Sequence, residues 1–196
     1  MTRPEPSWLE GAVRTIAGGG IVALPFERLF GLAANASNHG AVSRLVSFKR
    51  ADNSKPVSVI LPSMDALDRV AAEVPPIARD LQARFWPGPL TILLPARRDL
   101  HRALVGPDGT VGVRLPSPCP ALQLAAACDA VLTATSANRP GAPDPTSHEE
   151  LEELEGVDLV VPGSVPGPPG STVVGLDGDR VVVVREGSIP SREVAP

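Results

Sequence analysis

The side chains best placed to do chemistry in this sequence stand at the ends of apolar runs. In Val131-Leu-Thr-Ala-Thr-Ser-Ala-Asn138 a β-rich run stops at Thr-Ser-Ala-Asn, and Arg-Pro-Gly follows. Polar groups at the carboxyl end of a buried strand are well placed for a ligand in an α/β sheet. Ser136 and Asn138 offer a hydroxyl and an amide that suit phosphate oxygens or a sugar. They equally suit a turn held by its own side-chain hydrogen bonds, and Ser171 and Thr172 share that ambiguity. Arg114 ends the strand-like run Val111 to Arg114, ahead of Pro116. A guanidinium there is costly unless it is solvated or paired with an anion. It suits bidentate binding of carboxylate or phosphate, and a surface or internally paired arginine is the equal alternative. Arg185, after four valines, repeats the pattern. His39, His101 and His148 are scattered, without an acidic or nucleophilic partner at motif spacing. Positioning and charge neutralisation therefore fit better than covalent catalysis.

The elements that must position these groups follow from periodicity and turn signals. Ser7-Trp-Leu-Glu10 has the pattern of a capping box and predicts a helix to about Ala17, stopped by Gly18-Gly-Gly20. That glycine triplet precedes a strand and lacks P-loop spacing. Strands are expected at Ile21–Leu24, Val57–Leu61, Leu90–Leu94, Val111–Leu115, Val131–Thr135 and Val157–Val161. Helices are expected over His39–Lys49, from Ser63 to Ala72, from Pro75-Pro76 to Phe85, over Pro120–Cys128, and from a capping box at Ser147 to about Leu154. Trp86-Pro-Gly-Pro89 reads as a rigid structural turn. Pro162 to Gly170, with four prolines and three glycines, reads as an ordered loop or flexible lid. Ser171–Gly175 and Arg180–Arg185 form a hairpin around Leu-Asp-Gly-Asp. Strands and helices mix without strict alternation, so an α/β or α+β fold with a mixed, twisted sheet is expected.

Composition bounds the rest. A chain of 196 residues with 43% hydrophobic content predicts one domain with a real core. The net charge of -4 supplies no overall pull toward nucleic acid or an anionic membrane. The local basic run Arg97, Arg98, His101 and Arg102 reads as solvated surface. The two cysteines, Cys119 and Cys128, form no CxxC pair, which disfavours zinc and a disulfide framework. With no signal-peptide pattern and no apolar run near the ~20 residues that span a bilayer, a soluble cytoplasmic protein with no membrane partner is expected. Lysine occurs only at positions 49 and 55, so Lys49 stands out.

Taken together, the motifs resemble the Sua5/YrdC/YciO family from about Gly18 to Ile189. They are Leu24-Pro25 with Phe30-Gly-Leu32, Lys49 with Pro56, Trp86-Pro-Gly-Pro-Leu-Thr91, Gly112-Val-Arg-Leu-Pro116, Thr135-Ser-Ala-Asn138, Gly170-Ser-Thr-Val-Val174 and Arg185-Glu-Gly187. The resemblance implies an open, twisted mixed sheet flanked by helices around a concave, positively charged cavity. It implies one such domain over residues 1–196 with its core at about 10–190, and no C-terminal Sua5 domain. It also implies a threonylcarbamoyl-AMP synthase, which joins L-threonine, bicarbonate and ATP, with Mg²⁺, and releases pyrophosphate. The adenylate serves tRNA t6A37 formation, so RNA, tRNA or tRNA-modification proteins are implied partners. By resemblance, Lys49, Ser136 and Asn138 surround ATP and carry the chemistry. Asn53, Thr110 and Arg185 contact the nucleotide, and Ser58, Arg114, Ala134 and Ser171 lie near the amino acid. No resident metal site is implied.

The sequence departs from the family pattern Pro-Thr-Asp/Glu-Thr-Val-Tyr-Gly-Leu, reading Pro25-Phe-Glu-Arg-Leu-Phe-Gly-Leu32. Phe26 and Arg28 replace two threonines, so a hydroxyl-bearing wall becomes bulkier and partly cationic. Loss of a hydrogen-bonding group can cost roughly 10⁴-fold in discrimination. The family's Lys-x-Arg is Lys49-Arg50-Ala51, and Arg28 could restore the missing charge. Two alternatives follow: a paralogue with another carbamoyl donor or acceptor, and a non-catalytic module binding nucleotide or double-stranded RNA.

Overall fold

The computed structural model describes residues 7–49, 56–138 and 141–194. Asn53 and Ala51 lie outside them. Nine strands form one mixed sheet in the order β7-β1-β2-β6-β3-β5-β4-β8-β9. The strands are β1 (Val22–Pro25), β2 (Phe30–Ala33), β3 (Ser58–Ile60), β4 (Leu90–Pro95), β5 (Thr110–Arg114), β6 (Leu132–Ser136), β7 (Leu159–Val160), β8 (Thr172–Asp177) and β9 (Arg180–Arg185). Three pairs are parallel (β1 with β7, β3 with β5, β4 with β8) and the other five antiparallel. The expected mixed α/β sheet is therefore present.

The helices are α1 (Leu9–Ala17), α2 (His39–Phe48), α3 (Pro76–Phe85), α4 (Pro120–Cys128), α5 (His148–Glu152) and α6 (Ser191–Val194). Helices cover the sheet on both faces, which is why β1 reads as an unbroken apolar run. Val22 and Leu24 pack with Leu9, Ile16, Ala121 and Leu124 of α1 and α4. Ile21 and Ala23, alternating with them, join the larger core with Val42 and Leu45 of α2 and Leu81 of α3.

Two local expectations change. Ser7 does not cap α1; Trp8 occupies that position and no side chain caps the helix. Ser63 leads only a 3-10 helix, Met64–Arg69, again without a side-chain cap. Ser147 does cap α5, its Oγ accepting from the Glu150 N–H at 3.3 Å.

Asp158, beside β7, ties that short edge strand down. Its carboxylate accepts from the Ile21 N–H at 2.7 Å and from Arg44 Nη2 at 2.9 Å. Burial would raise its pKa, but the Arg44 and Ile21 hydrogen bonds prevail and hold it below the ordinary aspartate range. A depressed folded-state pKa stabilises above the unfolded value, about 3.9, and the contribution is lost as pH falls through the folded value. Thermal midpoints at pH 7 and pH 3 will therefore differ less in Asp158→Asn than in the wild type, with the loss at pH 7 in the variant.

The β1–β2 connection shapes the concavity. Phe26 N–H donates to the Leu29 carbonyl at 3.0 Å, closing a tight turn. The segment 161–171 leaves β7 at the sheet edge and runs along this turn. Gly163 lies against Pro25, Gly167 N–H donates to the Arg28 carbonyl at 2.9 Å, and Gly170 lies against Leu29. Gly170 is two residues from the start of β8, yet β8 stands five places from β2 in the sheet. A flat sheet would separate those strands by about 24 Å at the usual spacing. The sheet therefore curls, and the proline-rich segment straps its two halves.

Gly31 permits a close approach inside that curl. A Cβ there would collide with the Phe26 ring, which is 8% exposed and packs in the α1–α4 core. Phe26 is thus largely a core residue folded over Gly31, and only part of it walls the cavity. Gly31→Ala should cost about 1–3 kcal/mol by overpacking, measured as a lower denaturant midpoint.

Candidate active site

One face of five adjacent strands makes the floor of a cavity of about 610 Å³. Strand alternation sets which residues meet there. Ala134 and Ser136 lie two apart on β6, and Ser58 of β3 pairs with Ala134. Gly112 and Arg114 lie two apart on β5, and a Cβ on Gly112 would sit 2.6 Å from Ser58 Oγ. Thr91 of β4 then meets Ser171, their hydroxyls 2.9 Å apart. Small residues thus keep the floor open, and Thr133, alternating out of it, donates no group to the cavity but accepts from the Ala34 N–H at 2.9 Å on the buried side.

Lys49, Ser136 and Asn138 converge although 87 residues separate the first two. Lys49 caps the end of α2. Its Nζ donates to the carbonyls of Ser136 (3.0 Å) and Asn138 (2.8 Å) and to Asn138 Oδ1 (2.7 Å). Three acceptors require three N–H donors, which only the ammonium form has. Burial lowers the Lys49 pKa, and Asp144 opposes that shift. Ser136 Oγ donates to Asn138 Oδ1 at 2.6 Å, and Asn138 Nδ2 donates to the Ala142 carbonyl at 2.7 Å. The network is saturated from within.

Arg114 resolves toward internal pairing. Its Nη1 donates to Glu27 Oε2 at 2.7 Å, with the two side chains 11% and 10% exposed. Glu27 also accepts from the Ser117 N–H. Burial lowers the Arg114 pKa against the raising effect of Glu27. Glu27 went unassigned in the sequence, although the family pattern carries an acid at its position. Asp144 and Glu186 also line the cavity unpredicted. Arg185 reaches it and donates to the Ser171 carbonyl at 2.9 Å.

Thr110 does not arrive with the others. It begins β5, at the end opposite Arg114, and its hydroxyl donates to Asp108 at 2.8 Å. In the basic run, Arg97 pairs with Asp99 at 3.1 Å. His39 and His101, distant in sequence, pack edge to face at 5.3 Å. His101 Nδ1 accepts from the Ala103 N–H, which places the proton of the neutral ring on Nε2, facing Ser43 Oγ at 3.1 Å. Ser43 therefore has no base there, and burial pushes the His101 pKa down.

A curled mixed sheet with this lysine, serine and asparagine at one strand end defines a class. The Sua5/YciO/YrdC family model, described as "Telomere recombination", matches residues 14–187, and the chain belongs to that family. It is 35% identical to the threonylcarbamoyl-AMP synthase of Pyrococcus abyssi, over 94% of this chain and 56% of that one. The structure of P. abyssi Sua5 complexed with L-threonine superposes with a TM-score of 0.89 at 34% identity, covering 98% of this chain and 58% of that one. Escherichia coli YciO superposes with a TM-score of 0.82 at 26% identity, over 95% of this chain and 92% of that one. The chain thus spans little more than half the length of the P. abyssi relative. No described helix is long and apolar enough to cross a membrane.

Proposed function

We propose that this chain is a threonylcarbamoyl-AMP synthase that supports tRNA t6A37 formation, acting as one unit around a single cavity. The observation that carries the reading is the convergence of Lys49, Ser136 and Asn138 beside a floor of Ser58, Ala134, Arg114 and Ser171, in a chain 35% identical to a relative of that name. In the reaction, the threonine amine and bicarbonate give a carbamate and water. A carbamate oxygen attacks the α-phosphorus of ATP, and the bond to the pyrophosphate oxygen breaks. Charge develops on phosphate oxygens, so fixed cations are the groups that accelerate it. Lys49 lies at the nucleotide end of the cavity and Arg114, held by Glu27, at the amino-acid end. Arg185 completes the nucleotide side.

Mg²⁺ would enter with ATP. Among the described residues no three His, Cys, Asp or Glu side chains group as a metal site. A nucleotide-borne Mg²⁺ needs only one or two protein carboxylates besides phosphates and water, and Asp144, which lines the cavity together with Lys49, suits that role. The test is calorimetric titration of MgATP, with and without L-threonine and bicarbonate. The proposal expects ATP binding that tightens with threonine; ATP binding indifferent to threonine would favour a paralogue with another acceptor.

A further inference from the structure

Among the described residues four cationic side chains line the cavity (Arg28, Lys49, Arg114 and Arg185) against three acidic ones (Glu27, Asp144 and Glu186). Their donors are unequally committed. Lys49 spends its three N–H groups on Ser136 and Asn138. Arg114 is neutralised by Glu27 at 2.7 Å. Arg185 is anchored to Ser171. Arg28 differs. Its one hydrogen bond among the described residues runs from Nη2 to the Pro168 carbonyl of the strap, at 3.4 Å. Its Nε–H is shielded from solvent and has no acceptor among the described residues.

A shielded donor without a partner is expensive, and native proteins almost always satisfy it. The turn fixes Arg28 where it is: its own carbonyl accepts from Gly167 N–H, and its neighbour Leu29 touches Gly170. The Arg28 backbone is therefore held at the strap and the cavity wall, and the guanidinium is tied there by the 3.4 Å bond to Pro168. It presents a fork of donors matched to a two-oxygen anion, in a curled, partly enclosed space where such a charge is weakly screened.

We propose that Arg28 is an oxyanion-binding residue of this cavity, engaging a carboxylate or phosphate group of the substrate through Nε and Nη and giving up its long bond to Pro168 when it does so. The chemistry is common to two sources, a phosphate of the nucleotide and a carboxylate of the amino acid. The assignment of those carriers rests on the function proposed above.

The test titrates the full chain calorimetrically with inorganic pyrophosphate, MgATP, L-threonine and L-aspartate, comparing wild type with Arg28→Gln, Arg28→Lys and Lys49→Met. Loss of a charged hydrogen-bonding partner predicts about tenfold to hundredfold weaker binding of the engaged ligand in Arg28→Gln, with partial recovery in Arg28→Lys and unchanged thermal midpoints. If the partner is phosphate, pyrophosphate and MgATP weaken together and the amino acids do not. If it is carboxylate, the amino acids weaken and pyrophosphate does not. Arg28→Gln binding all four as the wild type does, while Lys49→Met loses MgATP, overturns the proposal and leaves the proposed function standing. Arg28-dependent pyrophosphate or aspartate binding by a chain that takes neither MgATP nor threonine upholds it and removes that function. A wild type that binds none of the four overturns both.

Discussion

On the proposed function, replacing Lys49 with methionine lowers pyrophosphate release by about a hundredfold or more. A fixed positive charge beside developing negative charge in an enclosed site typically contributes on that scale, even where its N–H groups are held by the protein. Lys49 also tethers the two carbonyls at the end of β6 and the Asn138 amide oxygen. Methionine keeps the apolar stem and removes all three donors, so the strand end that bears Ser136 and Asn138 loses its anchor as well as its charge. The expected signature is a fall in kcat with weaker MgATP binding and a preserved far-ultraviolet dichroism spectrum. Steady-state kinetics with a coupled pyrophosphate assay, beside equilibrium titration of MgATP, measures both. Unchanged kcat would remove Lys49 from the chemistry.

Arg114→Met is expected to be the most destabilising single change at the site. It leaves the Glu27 carboxylate buried with, among the described residues, only the Ser117 N–H as hydrogen-bond partner. Breaking a buried ion pair from one side typically costs about 3–5 kcal/mol, because the surviving charge is uncompensated. The remaining Ser117 bond points to the lower end, about 3 kcal/mol. The double variant Arg114→Met with Glu27→Gln removes that charge and should recover part of the loss. Urea unfolding of the two singles and the double gives the coupling directly. A double variant as unstable as the sum of the singles would show that the pair does not act as a unit.

The elements most legible in the sequence were those whose signals are local. Helix α4 starts at Pro120 and ends at Cys128 as its composition indicates, with Asp129 in the left-handed region just past it. Proline at the first turn and an alanine-rich stretch need no tertiary help. Strand β2 was not legible as a strand, because Phe30-Gly-Leu-Ala33 is four residues with a glycine inside; its pairing with β1 and β6 makes it one. Ser7-Trp-Leu-Glu10 shows the opposite case, a capping pattern that packing of Trp8 and Leu9 against α4's core overrides.

The site divides the same way. Residue type and position at strand ends marked Ser136, Asn138, Arg114 and Ser171, and all four line the cavity. Arg185 repeated the strand-end pattern and Lys49 stood out by the rarity of lysine, and both line it; family resemblance alone added Ser58 and Ala134, which line it too, and Thr110, which does not. What the sequence withheld were contacts between segments 87 or more residues apart, such as Glu27 with Arg114 and Arg28 with Pro168. These depend on how far the sheet curls, and no local pattern encodes that.

The central claim is most directly tested by incubating the chain with MgATP, L-threonine and ¹³C-bicarbonate and analysing the mixture by mass spectrometry. The expected product is an adenylate carrying both threonine and the labelled carbon, formed with pyrophosphate and absent when any one substrate is omitted. Binding of MgATP without a labelled adenylate or pyrophosphate would contradict it.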